Sequence, residues 1–411
     1  MAKASGHTWR FKARFRRHAF GWRSQPAIQR IKEAVREIQA VARKDPVLAA
    51  DGSVSLLERI SPALEHVDGS SGAIGTAVNN AIRELVPVIA HAPASSETRG
   101  AWLERLWVAH EADQMPYIEA LGDHWGEICA SREEASKWAD RLVGFARMAL
   151  RPDRDDRAFF HGTSACLSAL FSAERYAEIV ELLHVDTIWP YKRWAVKALA
   201  ALGRDSEAIE YAETCRGRCT NDVAVDGICE EILLASGRIE EAYERYGPRA
   251  SRRGTYLATF RTVTRKYPQK SASRILADLI KATPGEEGKW FAAAKEAGLY
   301  DEALALARRS PCDPRTLSRA ASDLAEREPA FAVEAGLLAL HWLVQGHGYE
   351  ITGADVWAAY SSTMSAAEKA GSVPEVRELV RALVTGEAPG GFVSRVLGGE
   401  LGLPGSRGGS P

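Results

Sequence analysis

A run of basic and aromatic residues near the start of the chain is the first place where side chains could do chemistry. Residues 1–23 contain no acidic residue, and five of their bases are Arg10, Lys12, Arg14, Arg16 and Arg17. Five aromatic residues interleave with these bases: Trp9, Phe11, Phe15, Phe20 and Trp22. Basic groups neutralise phosphates and aromatic rings stack on nucleobases, so the pattern is typical of a nucleic-acid contact. The alternative is that the rings pack against the first helix.

A second candidate is the glycine- and serine-rich stretch Gly69, Ser70, Ser71 and Gly72, which precedes a predicted helix. Successive backbone N–H groups at a helix start can bind an anion such as phosphate. No strand precedes the stretch and no lysine follows it, as a nucleotide-binding P-loop would require. A helix-capping turn without a ligand is the alternative.

Cys215, Cys219 and Cys229 could offer three thiolates to zinc. Structural zinc usually takes four ligands, and no histidine lies between His184 and His341 to complete the set. We therefore expect reduced, mostly buried thiols and neither a metal nor another cofactor.

Three carboxylates, Asp153, Asp155 and Asp156, stand near His161 and could bind a metal, although acids are also common just before a helix. His341 and His347 flank a predicted insertion at 345–353 and are expected to be packing or surface residues. The sequence contains none of the common hydrolase, metalloprotease or nucleotide-binding motifs. We predict no catalytic residue.

These residues must be positioned by helices. Apolar residues recur at intervals of three and four across 24–41, 53–67, 74–89, 100–121 and 132–150, which predicts five helices. Ser24 is expected to cap the first and Pro62 to bend the second. The predicted organisation is a basic aromatic arm (1–23), an N-terminal helical domain (24–150), a helical repeat (157–385) and a disordered Gly/Pro/Ser-rich tail (386–411).

The repeat is visible as a turn signal. Gly203, Gly237 and Gly298 each follow an apolar helix, and each is followed by Glu-Ala four and five residues later. Glycine supplies the left-handed conformation that ends a helix, and the glutamate suits the first turn of the next one. Weaker copies are expected to turn at Ser172, Tyr267, Arg327 and Gly371.

The segment Gly298, Tyr300, Glu302 and Ala303 resembles the turn of the tetratricopeptide (TPR) repeat, Gly-x-Tyr-x-Glu-Ala. The resemblance covers about 155–385 but lacks the family's tryptophan and first glycine, so its peptide-clamp residues do not carry over. It implies a right-handed α-solenoid of helix hairpins that binds a macromolecule in its groove. Through residues 20–34 and 61–68, the whole chain also looks like a bacterial family whose function is not known.

Composition narrows the class of protein. The 53 basic and 54 acidic residues nearly cancel, which argues against a uniformly basic nucleic-acid binder, and the 46% hydrophobic content suits a folded core. No apolar run long enough for a membrane span and no signal peptide are apparent, so we expect a cytoplasmic protein. An arginine-rich, acid-poor start also resembles a mitochondrial transit peptide.

We predict an all-α protein, a TPR-like solenoid with an N-terminal helical domain, that acts as a protein-interaction scaffold for a protein partner and not at a membrane. The alternatives are a nucleic-acid-associated protein that uses the arm, or an enzyme whose site is not recognised. The charge of the groove discriminates between them. An arginine-lined groove favours nucleic acid, whereas a groove of mixed charge with apolar pockets favours a peptide.

Overall fold

The structure, a computed structural model, describes residues 7–150, 160–184, 187–217, 220–388 and 390–403. Within these ranges it contains twenty-three α-helices, two short 3-10 helices and no strand, which confirms the all-helical prediction. None of the described helices is both long and apolar enough to span a bilayer.

The chain forms two compact units, Met1–Ser236 and Gly237–Pro411. The α-helices described in the first unit are α1 Arg10–Arg14, α2 Ser24–Ala42, α3 Pro46–Leu64, α4 Ala73–Ala90, α5 Ser96–Glu111, α6 Trp125–Cys129, α7 Arg132–Ala149, α8 Thr163–Ser172, α9 Tyr176–Leu182, α10 Trp189–Ala201, α11 Asp205–Thr214 and α12 Asp222–Ala235. A 3-10 helix, Glu119–His124, precedes α6.

The α-helices described in the second unit are α13 Ile239–Arg245, α14 Gly247–Ala250, α15 Tyr256–Lys266, α16 Ala272–Lys281, α17 Phe291–Glu296, α18 Tyr300–Arg309, α19 Pro314–Leu324, α20 Pro329–Val344, α21 Gly353–Ala370, α22 Val373–Thr385 and α23 Phe392–Leu397. A 3-10 helix, Glu287–Trp290, precedes α17.

Two helix starts differ from the sequence prediction. Helix α3 begins at Pro46 rather than near residue 53, because proline needs no N–H partner in a first turn and the Asp45 carboxylate accepts the N–H of Leu48 at 2.9 Å. Ser24 does not cap α2, since Arg23 occupies the capping position without a side-chain bond. Pro62 lies inside α3, and the bend expected there stays a prediction.

The helix predicted at 100–121 is shorter than expected, because α5 ends at Glu111 and a loop follows. The buried carboxylate of Asp113 organises this loop by accepting the N–H of Ile118 at 2.7 Å and the hydroxyl of Ser61 at 2.5 Å. Burial raises the pKa of Asp113. The chain therefore leaves the helix near Asp113, although the spacing of its apolar residues predicts a helix that continues to residue 121.

The core of the first unit begins in the arm. Trp9, Phe11 and Phe15 belong to the same buried cluster as residues of α2 to α10, which extends as far as Ala198. The arm is therefore packed against the helices. The predicted boundaries at 150 and 157 both border or fall in residues 151–159, which are outside the described residues, so those boundaries stay predictions.

The glycines at the predicted repeat turns adopt left-handed backbone conformations. The φ angles of Gly203, Gly237, Gly298 and Gly371 are 75°, 74°, 73° and 70°. After three of these glycines, the backbone N–H of the next residue donates a hydrogen bond to the carbonyl five residues earlier. These bonds run from Arg204 to Leu199, from Leu299 to Ala294 and from Ser372 to Ala367, at 2.9–3.0 Å. This bond closes the end of one helix and fixes where the next begins.

The weaker copies of the turn need correction. The first pivots at Glu174, not at Ser172: Glu174 has a φ of 58°, and the N–H of Arg175 bonds to the carbonyl of Leu170 at 2.9 Å. Neither Tyr267 nor Arg327 has a positive φ. Instead, the Ser271 side chain caps α16, and Pro329 opens α20.

Part of the tail that was predicted to be disordered is helical. Helix α23 contains the buried side chains Val393 and Leu397, and Leu401 is buried just beyond it. The apolar residues at intervals of four explain why this glycine-rich segment packs. Residues 404–411 are outside the described residues.

Replacing Gly298 by valine should lower the free energy of unfolding by about 1–2 kcal/mol, because a β-branched residue resists the left-handed region. A Cβ atom at Gly298 would meet no other atom within 4 Å, so the loss would be conformational rather than steric. Gly254 is the matched control, since it has equally open space and no φ in the left-handed range. Gly254→Val should change stability by less than about 0.5 kcal/mol. Equal denaturant midpoints for the two variants would contradict the argument.

Candidate functional site

The arm aromatics are placed in the core. Trp9, Phe11 and Phe15 are 3%, 2% and 1% exposed, on and beside α1, which contacts α2 and α3. A side chain at Gly52 on α3 would overlap the indole ring of Trp9, so the glycine forms the notch that admits it. Trp22 differs from this group, because it is 73% exposed.

The five candidate nucleic-acid residues do not form an isolated basic surface. Arg14 pairs with Glu33 of α2 at 2.7 Å, and the Nε atom of Arg17 lies 3.9 Å from Glu65 next to α3. The backbone N–H of Arg10 donates to Glu37 at 2.8 Å. Arg10 and Arg16 are exposed, and Lys12 is half-buried. Buried rings and neighbouring carboxylates favour the packing alternative for the arm over a nucleic-acid contact.

Two backbone N–H groups of the stretch from Gly69 to Gly72 are hydrogen-bonded within the turn itself. The Asp68 carboxylate accepts the N–H of Ser70 at 2.9 Å, and the Gly69 carbonyl accepts that of Gly72 at 2.9 Å. The Ser71 hydroxyl lies 3.4 Å from the next N–H, that of Ala73. A carboxylate at this turn disfavours a second anion, so the geometry fits the helix-capping alternative.

The predicted cysteine and aspartate clusters are only partly visible. Cys215 and Cys229 are buried, whereas Cys219 and the aspartates at 153, 155 and 156 are outside the described residues. Within the described ranges, no group of three or more histidine, cysteine, aspartate or glutamate residues is arranged to hold a metal ion. The expectation that the protein binds no structural zinc stays a prediction.

A buried histidine lies in the aromatic core of the first unit. His110 has no exposed surface, and its ring stacks on Trp107 with centroids 5.8 Å apart and lies 4.4 Å from the ring of His161. Burial, assisted by His161, lowers the pKa of His110 to about 4. His110 is therefore neutral at pH 7 and acts as a packing residue there.

Helices α8, α10 and α12, which end just before the turns at Glu174, Gly203 and Gly237, form another surface, which we call the first-helix surface: the exposed sides of these three helices. Helix α10 contacts both α8 and α12. A pocket of about 500 Å³ lies on this surface. Its lining includes Phe171 of α8, Lys197, Ala200 and Ala201 of α10, and Ile228, Glu231, Ile232 and Ala235 of α12.

The pocket combines an apolar floor with charges of both signs. The Nζ atom of Lys197 lies 4.9 Å from the centre of the Trp194 ring, and burial lowers the pKa of this lysine. Glu231 and Asp205 supply negative charge at the same pocket. Such a site can hold an apolar side chain in its floor and a charged group beside Lys197.

In the sequence, these pocket residues are marked only by their place before the predicted repeat turns. Their signal is the small and apolar residues in the last turns before Gly203 and Gly237, where Ala200, Ala201 and Ala235 leave room between helices. The spacing of apolar residues alone does not show whether a residue faces the core or lines a pocket.

No protein-family profile matches the sequence, and no curated protein matches it. The resemblance to the TPR family therefore rests on residues 298–303 and on the recurrence of the turn.

Phe15→Ala should reduce the free energy of unfolding by about 3–5 kcal/mol, as expected for a fully buried aromatic side chain. Trp22→Ala removes a larger ring from the same arm but should cost less than about 0.5 kcal/mol, because that ring is exposed. Chemical denaturation of the two variants gives the comparison. An arm that is detached from the helices would make the two losses equally small.

His110 should weaken the fold in acid. Its folded-state pKa of about 4 is below the unfolded value of 6.5, so only the unfolded chain gains a proton as the pH falls between them. The wild type should lose up to about 3 kcal/mol across this range relative to His110→Phe, which cannot titrate there. His161 lies beside His110, and comparing the two proteins removes to first order the contributions of other groups that titrate in this range. Parallel pH–stability curves would refute the assignment.

Proposed function

We propose that the protein is an interaction scaffold that binds a peptide segment of a protein partner on the first-helix surface. The observation that carries this proposal is the 500 Å³ pocket between α8, α10 and α12. Its mixed charge and apolar floor match the groove expected for a peptide, not the arginine-lined groove expected for nucleic acid.

The order of helix contacts supports a TPR-like solenoid within each unit. In the first unit, α8 contacts its hairpin partner α9 and the next first helix α10, and α10 in turn contacts α11 and α12. In the second unit, α17 contacts α18, α19 contacts α20, and α21 contacts α22, while α19 also contacts α21. Stacked hairpins of this kind leave an extended surface of first helices, which solenoids use for binding.

The pocket lining indicates what the peptide carries. Phe171, Ile228 and Ile232 can surround one aliphatic or aromatic side chain. Lys197 stands beside them and would favour an acidic residue one or two positions away in the peptide. The repeated alanines Ala200 and Ala201 allow the peptide backbone to approach α10 closely.

Ala201→Arg should abolish peptide binding by filling the mouth of the pocket, since Ala201 is exposed on α10. The matched control is Ala177→Arg, an equally exposed alanine on the second helix α9 that does not line the pocket. Peptides from a random display library selected on the wild type are titrated against both variants by fluorescence anisotropy. We expect a loss of at least about tenfold with Ala201→Arg, or about 1.4 kcal/mol, and none with Ala177→Arg.

Charge reversal tests the second half of the proposal. Lys197→Glu should shift the selected peptides from acidic to basic residues beside the apolar anchor, because like charges at close range are unfavourable. Selected peptides that bind Ala201→Arg as tightly as the wild type would locate the binding surface elsewhere.

A further inference from the structure

The second unit contains a basic segment that the peptide-binding proposal does not use. Residues 245–277 include nine arginines and lysines and no acidic residue. This segment comprises α14, α15, most of α16 and the loops between them. Basic and acidic residues nearly balance over the whole chain, so a segment of this length that carries only positive charge is unusual.

Part of the segment lines a pocket of about 370 Å³. Three arginines, Arg249, Arg252 and Arg253, come from α14 and the turn that follows it, and Tyr256, Leu279 and Trp290 supply its apolar wall. The turn is held in place because the N–H of Arg253 donates to the Thr259 hydroxyl at 2.9 Å. The arginine backbone is thus anchored while the side chains remain exposed.

Arg252 and Arg253 differ from several other bases of the segment in their ion pairs. Arg261 pairs with Glu296, Lys270 with Glu240 and Arg274 with Asp278. In contrast, within the part of the chain that the structure describes, neither Arg252 nor Arg253 forms an ion pair with a carboxylate. Both side chains are exposed and line the same pocket, so two positive charges there are open to an anion.

A hydrogen bond and a contact between rings hold the aromatic wall of the pocket in place. The indole N–H of Trp290 donates to the Thr283 hydroxyl at 2.8 Å, and the Tyr256 ring packs edge-on against Trp290 with centroids 4.7 Å apart. Glu286, the acid nearest to Tyr256, accepts its hydroxyl at 2.5 Å and pairs with Lys289 at 2.7 Å. Hydrogen bonds from Lys289 and Tyr256, with a smaller contribution from Arg252, lower the pKa of Glu286, so this carboxylate is shared mainly with Lys289 and offsets Arg252 only in part.

We propose that this pocket binds a small phosphorylated molecule, with the phosphate on Arg252 and Arg253 and the organic part against Tyr256 and Leu279. Guanidinium groups match phosphate oxygens in pairs, which a single lysine cannot do. The volume of 370 Å³ suits a ligand of nucleoside monophosphate size rather than a polymer. The site belongs to the second unit, so it is independent of the first-helix surface.

Isothermal titration of the full chain with adenosine 5′-monophosphate, inorganic phosphate and adenosine tests the proposal. We expect both phosphate-bearing probes to bind, the nucleotide more tightly, and adenosine to bind at least about tenfold more weakly than the nucleotide. The double variant Arg252→Gln, Arg253→Gln should lose at least about tenfold in nucleotide affinity. The control Arg265→Gln, Arg377→Gln removes the same charge from exposed positions of the second unit outside the pocket and should bind as the wild type does.

Three results would overturn the proposal. Adenosine binding as tightly as the nucleotide to the wild type would remove the role of the phosphate, whatever the variants do. Equal losses in the two double variants would reduce the effect to net charge. A short single-stranded oligonucleotide that binds far more tightly than the mononucleotide, through the same arginines, would assign the segment to nucleic acid instead. Failure of the peptide experiments leaves all three measurements unaffected.

Discussion

Several helices of this protein are too short to bury an apolar face without neighbours. Helix α9 has seven residues and α11 has ten, so neither is expected to be stable on its own in water. Each must therefore pack against the helix before it, and the turn between them decides whether it can. A left-handed residue at Glu174, Gly203, Gly298 or Gly371 reverses the chain within a few residues and fixes the start of the second helix.

The same need for neighbours explains the arm. Trp9, Phe11 and Phe15 add three buried rings to α2 and α3, and the notch at Gly52 accepts one of them. A segment whose composition is typical of nucleic-acid binding thus contributes to stability through its aromatic residues. Most of its bases remain at the surface, where Glu33 of α2 and Glu65 beside α3 partly offset them.

Sequence patterns predicted the helical class and the glycine turns because both depend on local chemistry. The start of α3 was missed because Pro46 can end one helix or open another, and the Asp45 cap decides which. The turn at Glu174 was missed because a left-handed glutamate leaves no sequence signature. The two pockets depend on which helices meet: Ala201 approaches α12, and Arg252 faces Trp290, only after tertiary packing. The periodicity of apolar residues along the sequence does not show which helices contact each other.

The central claim is that the first helices of the hairpins, not the second, form the binding surface. Amide hydrogen exchange of the full chain with and without a selected peptide tests it most directly. Slower exchange is expected in α8, α10 and α12 and at the start of α11, where Asp205 lines the pocket, with α9 and the rest of α11 unchanged. Protection confined to α9 and α11, or to the second unit, would contradict it.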